Sequence, residues 1–230
     1  MHAPPHLDTP PACHNPSLPL QPSGMASDGR QLRQAARSGA LPALQALLRS
    51  HPQLVDAYTD GFTALMSAAR CGQPEALKAL LAAGANVTAR RPNGYTALHC
   101  AALSGSVACI EALLAAGPEV EAESGMDETE LQLAAEGGHL AACRALIEAG
   151  ADVNAAPVAP YGKHRTALHA AAKQGHTAAM QLLLRAGAQL EARNHAAQTP
   201  LMLAARVGQV AAVQLLLREG AQVKRPGQGR

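Results

Sequence analysis

Histidine and cysteine are the residue types in this chain that could bind metal or act as nucleophiles. The sequence has ten histidines and five cysteines, and His139 and Cys143 stand four residues apart, a spacing that suits two metal ligands on one helical face. No second pair occurs in step with them to complete a site. We therefore expect no metal and no cofactor. Cys71, just before a glycine, is expected to be exposed, with a reactive thiol as the alternative role.

Catalytic motifs are missing from the sequence. It has no glycine-rich phosphate loop, no serine nucleophile motif and no distinctive carboxylate pair. We therefore expect a protein that is not an enzyme. The absence of Cys-x-x-Cys spacing is typical of reduced thiols, which suggests a cytoplasmic or nuclear location.

The charge balance argues against general binding to nucleic acid or membrane. Nineteen Lys and Arg residues against 17 Asp and Glu give a net charge of +2, and aromatic residues make up only 2% of the chain. Nucleic-acid binding favours a larger basic excess and more stacking aromatics. No apolar run is long enough to cross a bilayer, so we expect no membrane association.

Five threonines recur with a leucine two residues later and a glycine nine residues later. Successive threonines are 33, 33, 37 and 33 residues apart, so one interval contains four extra residues. The pairs are Thr63 with Gly72, Thr96 with Gly105, Thr129 with Gly138, Thr166 with Gly175, and Thr199 with Gly208. A period of this length is typical of a solenoid of stacked units, which offers a long exposed face to partners.

Each unit is predicted to contain two short helices. In residues 91–123 an Arg-Pro-Asn-Gly turn precedes Thr96, a plausible N-cap for a helix from Ala97 to Leu103. Gly105 permits a tight turn, and a second helix is predicted from Val107 to Ala115.

The repeated motif resembles that of the ankyrin repeat. The family's Thr-Pro-Leu-His signature appears as Thr-Ala-Leu-His from Thr96 and again from Thr166, and the Gly-Ala-Asp-Val-Asn-Ala pattern stands at residues 150–155. The resemblance implies an all-α fold, an ankyrin-repeat α-solenoid of about six helix-turn-helix units with protruding turns. It also implies that His99 and His169 bond to threonine and backbone between units. The residues assigned this structural role are Thr63, Thr96, His99, Thr129, Thr166, His169 and Thr199.

The predicted repeat domain extends over residues 28–223. Its units are about 28–57, 58–90, 91–123, 124–156, 157–193 and 194–223. Residues 1–27 contain seven prolines and are predicted to be a disordered tail, and residues 224–230 form a second tail.

The resemblance further implies that partners bind a concave face made by the inner helices and turns. The residues just before each inter-helix glycine are basic toward both ends, and the fourth unit's turn is acidic. We therefore expect another protein with an acidic or mixed-charge segment as the partner, although the same charges could simply keep the face soluble. The candidate binding residues are Arg70, Tyr95, Leu103, Asp127, Glu136, Tyr161, Lys163, Arg165, Lys173 and Arg206.

These features predict a non-catalytic interaction scaffold or adaptor. The alternative is an assembly chaperone or inhibitor that masks a partner's surface, and a nucleic-acid-associated regulator is less favoured. The last unit keeps Val210, Val213 and Leu217 where inner units would pack on a following repeat. We therefore also expect weak self-association through the C-terminal repeat.

Overall fold

The structure, a computed structural model, describes residues 23–117, 128–157 and 164–223. These three ranges contain twelve α-helices and one 3-10 turn at Pro52–Leu54. The helices are α1 Ser23–Ser38, α2 Leu41–Ser50, α3 Ala64–Arg70, α4 Pro74–Ala82, α5 Ala97–Ser104, α6 Val107–Ala115, α7 Glu130–Glu136, α8 Leu140–Glu148, α9 Ala167–Gln174, α10 Thr177–Arg185, α11 Pro200–Arg206 and α12 Val210–Arg218. The all-helical solenoid predicted from the sequence is confirmed.

The helices form two rows. The odd-numbered helices pack on one another in chain order as an inner row, and the even-numbered helices do the same as an outer row. Each odd helix also packs on the even helix that follows it after a link of two or three residues. Each unit is thus a helical hairpin that contacts its neighbours on both sides.

Helix α1 begins at Ser23, inside the segment that was predicted to be disordered. Pro22 is the last of the seven N-terminal prolines. The residues that follow it are therefore free of the restriction that proline places on helix formation. Burial of Leu32 and Ala36 in the core then holds α1 in the inner row. Residues 1–22 and 224–230 lie outside the described residues, as do Asp127, Tyr161 and Lys163 among the candidate binding residues.

The repeated threonines start the inner helices, as predicted. The Thr96 hydroxyl accepts a hydrogen bond from the backbone N–H of His99, and Thr63, Thr129, Thr166 and Thr199 cap their helices in the same way. An N-cap of this kind stabilises a helix by about 1 kcal/mol. Helices of only seven or eight residues depend on such caps, because isolated helices of that length are not stable in water.

The core is a continuous strip of leucine and alanine. The leucine two residues after each threonine is buried in every unit from the second to the sixth, including Leu65, Leu98 and Leu168. Burying one such side chain stabilises the fold by about 2 kcal/mol. The alanines of the inner helices are small enough to let neighbouring helices approach closely, which explains a core with almost no aromatic residues.

Gly105 shows why glycine follows each inner helix. Its φ of +69° lies in the left-handed region, which other residues enter at a cost. A Cβ atom at this position would also lie 2.4 Å from the ring of His139 in the next unit. That ring must lie there for its Nε2 to reach the carbonyl oxygen of Leu103, 3.1 Å away. The turn therefore needs glycine for both backbone conformation and stacking.

Candidate partner-binding face

His99 and His169 join consecutive units, as the resemblance implied. Each ring is fully buried, and each Nε2 donates to a backbone carbonyl of the next unit's turn, over 3.1 Å to Glu128 and 3.0 Å to Gln198. Each Nδ1 lies within hydrogen-bond distance of the helix-capping threonine. Burial lowers the pKa of both rings, that of His99 to about 4, so both are neutral at pH 7. They are structural residues.

Gln132 takes the place of histidine in the fourth unit. Its Oε1 accepts from the Thr129 backbone N–H at 3.3 Å, and its Nε2 donates to the carbonyl oxygens of Ala155 and Arg165. These are the same kinds of bond that the two histidines make. An amide can therefore fill this position without a titrating group.

Tyr95, one of the candidate binding residues, is buried rather than exposed. Its side chain is only 8% exposed, its ring stacks on His99, and its hydroxyl donates to a carboxylate oxygen of Glu128. Burial is the main cause that raises the pKa of Tyr95, and the hydrogen bond to Glu128 raises it further. The tyrosine packs inward, where the His99 ring and the Glu128 carboxylate both contact it.

Arg165 is also drawn into the molecule rather than presented at the surface. Its guanidinium lies 3.2 Å from a carboxylate oxygen of Glu128 and 3.7 Å from one of Glu136, and the residue is buried. Glu136 in turn lies 3.8 Å from Lys173 Nζ. Four of the candidate binding residues, Tyr95, Glu136, Arg165 and Lys173, thus belong to one internal network around Glu128 and Glu136. The carboxylates of Glu128 and Glu136 are thus paired with cations within this network.

The remaining described candidates, Arg70, Leu103 and Arg206, are exposed as expected. Leu103 has 36% of its surface accessible and lies on the inner row between Arg70 and the network. The lengthened turn around Tyr161 lies outside the described residues, so its proposed role stays a prediction.

A cleft opens on the inner face beside α1 and α3. Its volume is about 330 Å³, and we call it the arginine cleft. It is lined by Arg33, Arg37, Phe62, Ser67, Arg70, Cys71 and Arg91. Four of the seven lining side chains are cationic, and none is acidic.

The arginines of this cleft are held in two different ways. Arg91 lies over the Phe62 ring, 3.8 Å from its centroid, and its Nε donates to the Gly61 carbonyl at 3.3 Å. Arg33 pairs with Asp60. Within the described part of the chain, Arg37 makes no ion pair or side-chain hydrogen bond, and Arg70 contacts only the Phe62 ring at 5.8 Å. Burial lowers the pKa of Arg91, and the positive charge of Arg70 lowers it further.

Sequence reasoning placed Arg37 and Arg70 together among the basic residues of the inner face and took Arg70 as a binding candidate, but it did not place Arg33 with them. Arg33 and Arg37 are four residues apart on α1, so they lie on one helical face. Arg37 and Arg70 are 33 residues apart, so they are neighbours at the same position of consecutive units. Together, these two spacings predict that Arg33, Arg37 and Arg70 lie close to one another.

No group of three or more histidine, cysteine or acidic side chains in the described ranges could hold a metal ion. His139 contacts Leu103 instead, and Cys143 is buried with its pKa raised by burial to about 12. Cys71 is exposed, whereas Cys100 and Cys109 are buried. No helix among the described residues is long and apolar enough to span a membrane.

Comparison with known proteins agrees with the repeat geometry. A family model described as ankyrin repeats (3 copies) matches residues 32–124, 91–157 and 131–226. A search of curated proteins gives no significant match. Ankyrin repeats are generally protein–protein interaction modules and are typically non-catalytic. Since these matches span nearly all of the helical array, the chain belongs to the ankyrin repeat family.

Proposed function

We propose that this protein is a non-catalytic adaptor that binds a protein partner through its inner face. The observation that carries this proposal is the division of charge along that face. Glu128 and Glu136 of the fourth unit are paired within the molecule, whereas Arg37, Arg70 and Arg206 are exposed.

This division favours a partner segment that carries negative charge. Exposed cations on one face accelerate encounter with an anionic partner and disfavour cationic ones. The exposed Leu103 adds an apolar contact beside Arg70, and most interfaces combine such contacts with a polar rim. An acidic or mixed-charge segment therefore fits the face best.

Charge reversal tests the proposal. The variant Arg70→Glu/Arg206→Glu should lose the partners that the wild-type protein captures from cell extract, as measured by affinity purification and mass spectrometry. Lys173 is left unchanged because a glutamate there would repel Glu136 and disturb the internal network.

A matched control has the same charge change on the outer row. Arg144→Glu/Arg185→Glu reverses two exposed arginines of α8 and α10 and should retain the partners. Equal retention by both double variants would contradict binding through the inner face.

The composition of the captured complex separates an adaptor from an assembly chaperone or inhibitor. An adaptor remains in the mature complex at a fixed ratio to its partner. A chaperone or masking inhibitor binds the isolated partner and is absent once that partner joins its assembly. Size-exclusion chromatography of the purified complex with each further component distinguishes the two. We further propose a cytoplasmic or nuclear location, which cell fractionation would check.

A further inference from the structure

We propose that the arginine cleft binds a phosphorylated side chain of the partner protein, an inference that rests on the proposed binding function. The cleft is a built concave site on the inner face, and its volume of about 330 Å³ is at the small end of ligand pockets. It can therefore take one side chain of a partner rather than a large cofactor.

The charge of the cleft is strongly unbalanced. Its lining has four guanidinium groups, of which Arg33 is paired with Asp60. Three guanidinium groups, those of Arg37, Arg70 and Arg91, have no carboxylate partner in the described residues. Holding like charges together is unfavourable unless a ligand brings negative charge between them. A bound anion would relieve that repulsion.

A phosphate monoester matches this set of donors better than a carboxylate. It carries a charge of roughly −1.5 to −2 at pH 7 and has three strong acceptor oxygens. Each guanidinium can donate two parallel hydrogen bonds to such oxygens. A single aspartate or glutamate side chain has roughly half to two-thirds of that charge and one oxygen fewer, so it would leave part of the arginine cluster unsatisfied.

The surroundings of the arginine cleft favour a phosphorylated side chain that is part of a peptide. Arg91 is fixed by its contacts with Phe62 and Gly61, so it is oriented before any ligand arrives. Arg37 and Arg70 are exposed on neighbouring inner helices, and Leu103 continues the same row into the next unit. A phosphorylated residue in the cleft would therefore place its flanking residues along the inner face.

Peptide pools test the preference for phosphate. Three fluorescent pools with a fixed central residue and degenerate flanks would carry phosphoserine, glutamate or serine at the centre. Fluorescence anisotropy should show that the full chain binds the phosphoserine pool about tenfold more tightly than the glutamate pool. Equal affinity for the two anionic pools, or binding to neither, would overturn the proposal.

Paired variants locate the binding. Arg37→Gln/Arg70→Gln should abolish the preference for phosphoserine, whereas Arg144→Gln/Arg185→Gln removes the same charge from the outer row and should retain it. All four side chains are exposed, so circular dichroism should show unchanged helix content. An equal loss in both variants would show that net charge alone drives the binding, and the cleft would carry no specificity.

Cys71 provides an independent readout because it lines the cleft. In a Cys13→Ser background it is the only exposed cysteine in the chain, since Cys100, Cys109 and Cys143 are buried. Phenyl phosphate should slow alkylation of Cys71 by iodoacetamide several-fold more than benzoate does, and this protection should vanish in Arg37→Gln/Arg70→Gln. Equal effects of the two anions would count against a phosphate site.

The two proposals fail in different ways. If phosphatase treatment leaves partner capture intact while Arg70→Glu/Arg206→Glu abolishes it, the adaptor function stands and the phosphate inference is wrong. If phosphate probes bind the cleft while partner capture survives the charge reversal, the adaptor interface lies elsewhere.

Discussion

Two buried histidines illustrate how single residues serve the array. The Nε2 atoms of His99 and His169 donate to the next unit, and their Nδ1 atoms face the capping threonines. This arrangement needs the neutral ring with its proton on Nε2. The carboxyl group of Glu130 lies 3.1 Å from Nδ1 of His99, yet burial dominates and keeps the pKa of that ring low. The joints between units therefore exclude the protonated histidine.

The buried histidines between units make the stability of the fold depend on pH. In the unfolded chain histidine titrates near pH 6.5, whereas His99 titrates at about 4 in the fold and the pKa of His169 is also lowered. Between these values the unfolded state binds more protons, so the free energy of unfolding falls as the pH decreases from about 6.5 to 4. We expect His99 to contribute a loss of roughly 1 kcal/mol per pH unit in the steepest part, with a further loss from His169, measured by urea unfolding.

Exchange with glutamine tests the origin of that loss. His99→Gln/His169→Gln should keep the joints, as Gln132 does, and flatten the decline in stability below pH 6.5. The reciprocal change, Gln132→His, should steepen it. An unchanged slope in both variants would place the acid sensitivity in other groups.

At the scale of the helical hairpin, side chains in the inter-helix turns connect neighbouring units. His139 bonds to the Leu103 carbonyl, His176 to that of Glu136, and Gln209 to that of Lys173. Each of these side chains passes over the glycine of the preceding unit. The second and third units pack differently, since Ser106 lies at ordinary contact distance from Gly72, 3.5 Å from where its Cβ would be.

This difference gives a matched pair of glycine substitutions. Gly72→Ala should cost about 1–2 kcal/mol for a left-handed alanine. Gly105→Ala should cost about 1 kcal/mol more, because it also displaces His139 from its hydrogen bond. Thermal unfolding followed by circular dichroism measures both.

A second substitution tests whether the His139 ring causes the larger cost of Gly105→Ala. Gly105→Ala/His139→Ser copies the arrangement of Gly72 and Ser106, so its cost relative to His139→Ser should match that of Gly72→Ala. If Gly105→Ala remains the more damaging change in the serine background, the ring of His139 is not responsible.

At the scale of the whole molecule, the last helix of the described array leaves apolar side chains exposed. Val210 is 67% exposed and Leu217 is 43% exposed on α12, where inner units would have a neighbour. Val213, which the sequence also placed at this apolar end, is instead partly buried and packs against the core. The apolar end that was expected from the sequence is thus made by Val210 and Leu217.

We expect weak, concentration-dependent association through this end. Val210→Glu should reduce it without loss of helix content, because the side chain is already exposed. Val213→Glu should instead destabilise the last unit, because it places a charge against the core. Sedimentation velocity over a range of concentrations, with circular dichroism, measures both effects. A wild-type protein that remains monomeric at the highest concentration would refute the association.

The sequence by itself determined the repeat, the helices and their caps. Thr96, Gly105 and the helix at Val107–Ala115 were located correctly because capping, turn conformation and apolar spacing act within a few residues of each other. The period also showed which positions are neighbours, since residues one unit apart lie on adjacent helices. The start of α1 differs from the prediction, because proline content does not reveal where a helix resumes after the last proline.

Only the tertiary structure decided which side chains are exposed on the inner face. Tyr95 and Arg165 stand at positions that the repeat leaves variable, yet both turn inward because Glu128 lies between them as an acceptor. Arg37 and Arg70 stand at equally variable positions and remain exposed, and neither forms an ion pair with a carboxylate among the described residues. Burial and pairing depend on the joint conformation of several long side chains from different units. A repeating sequence pattern does not contain that information, and the folded array does.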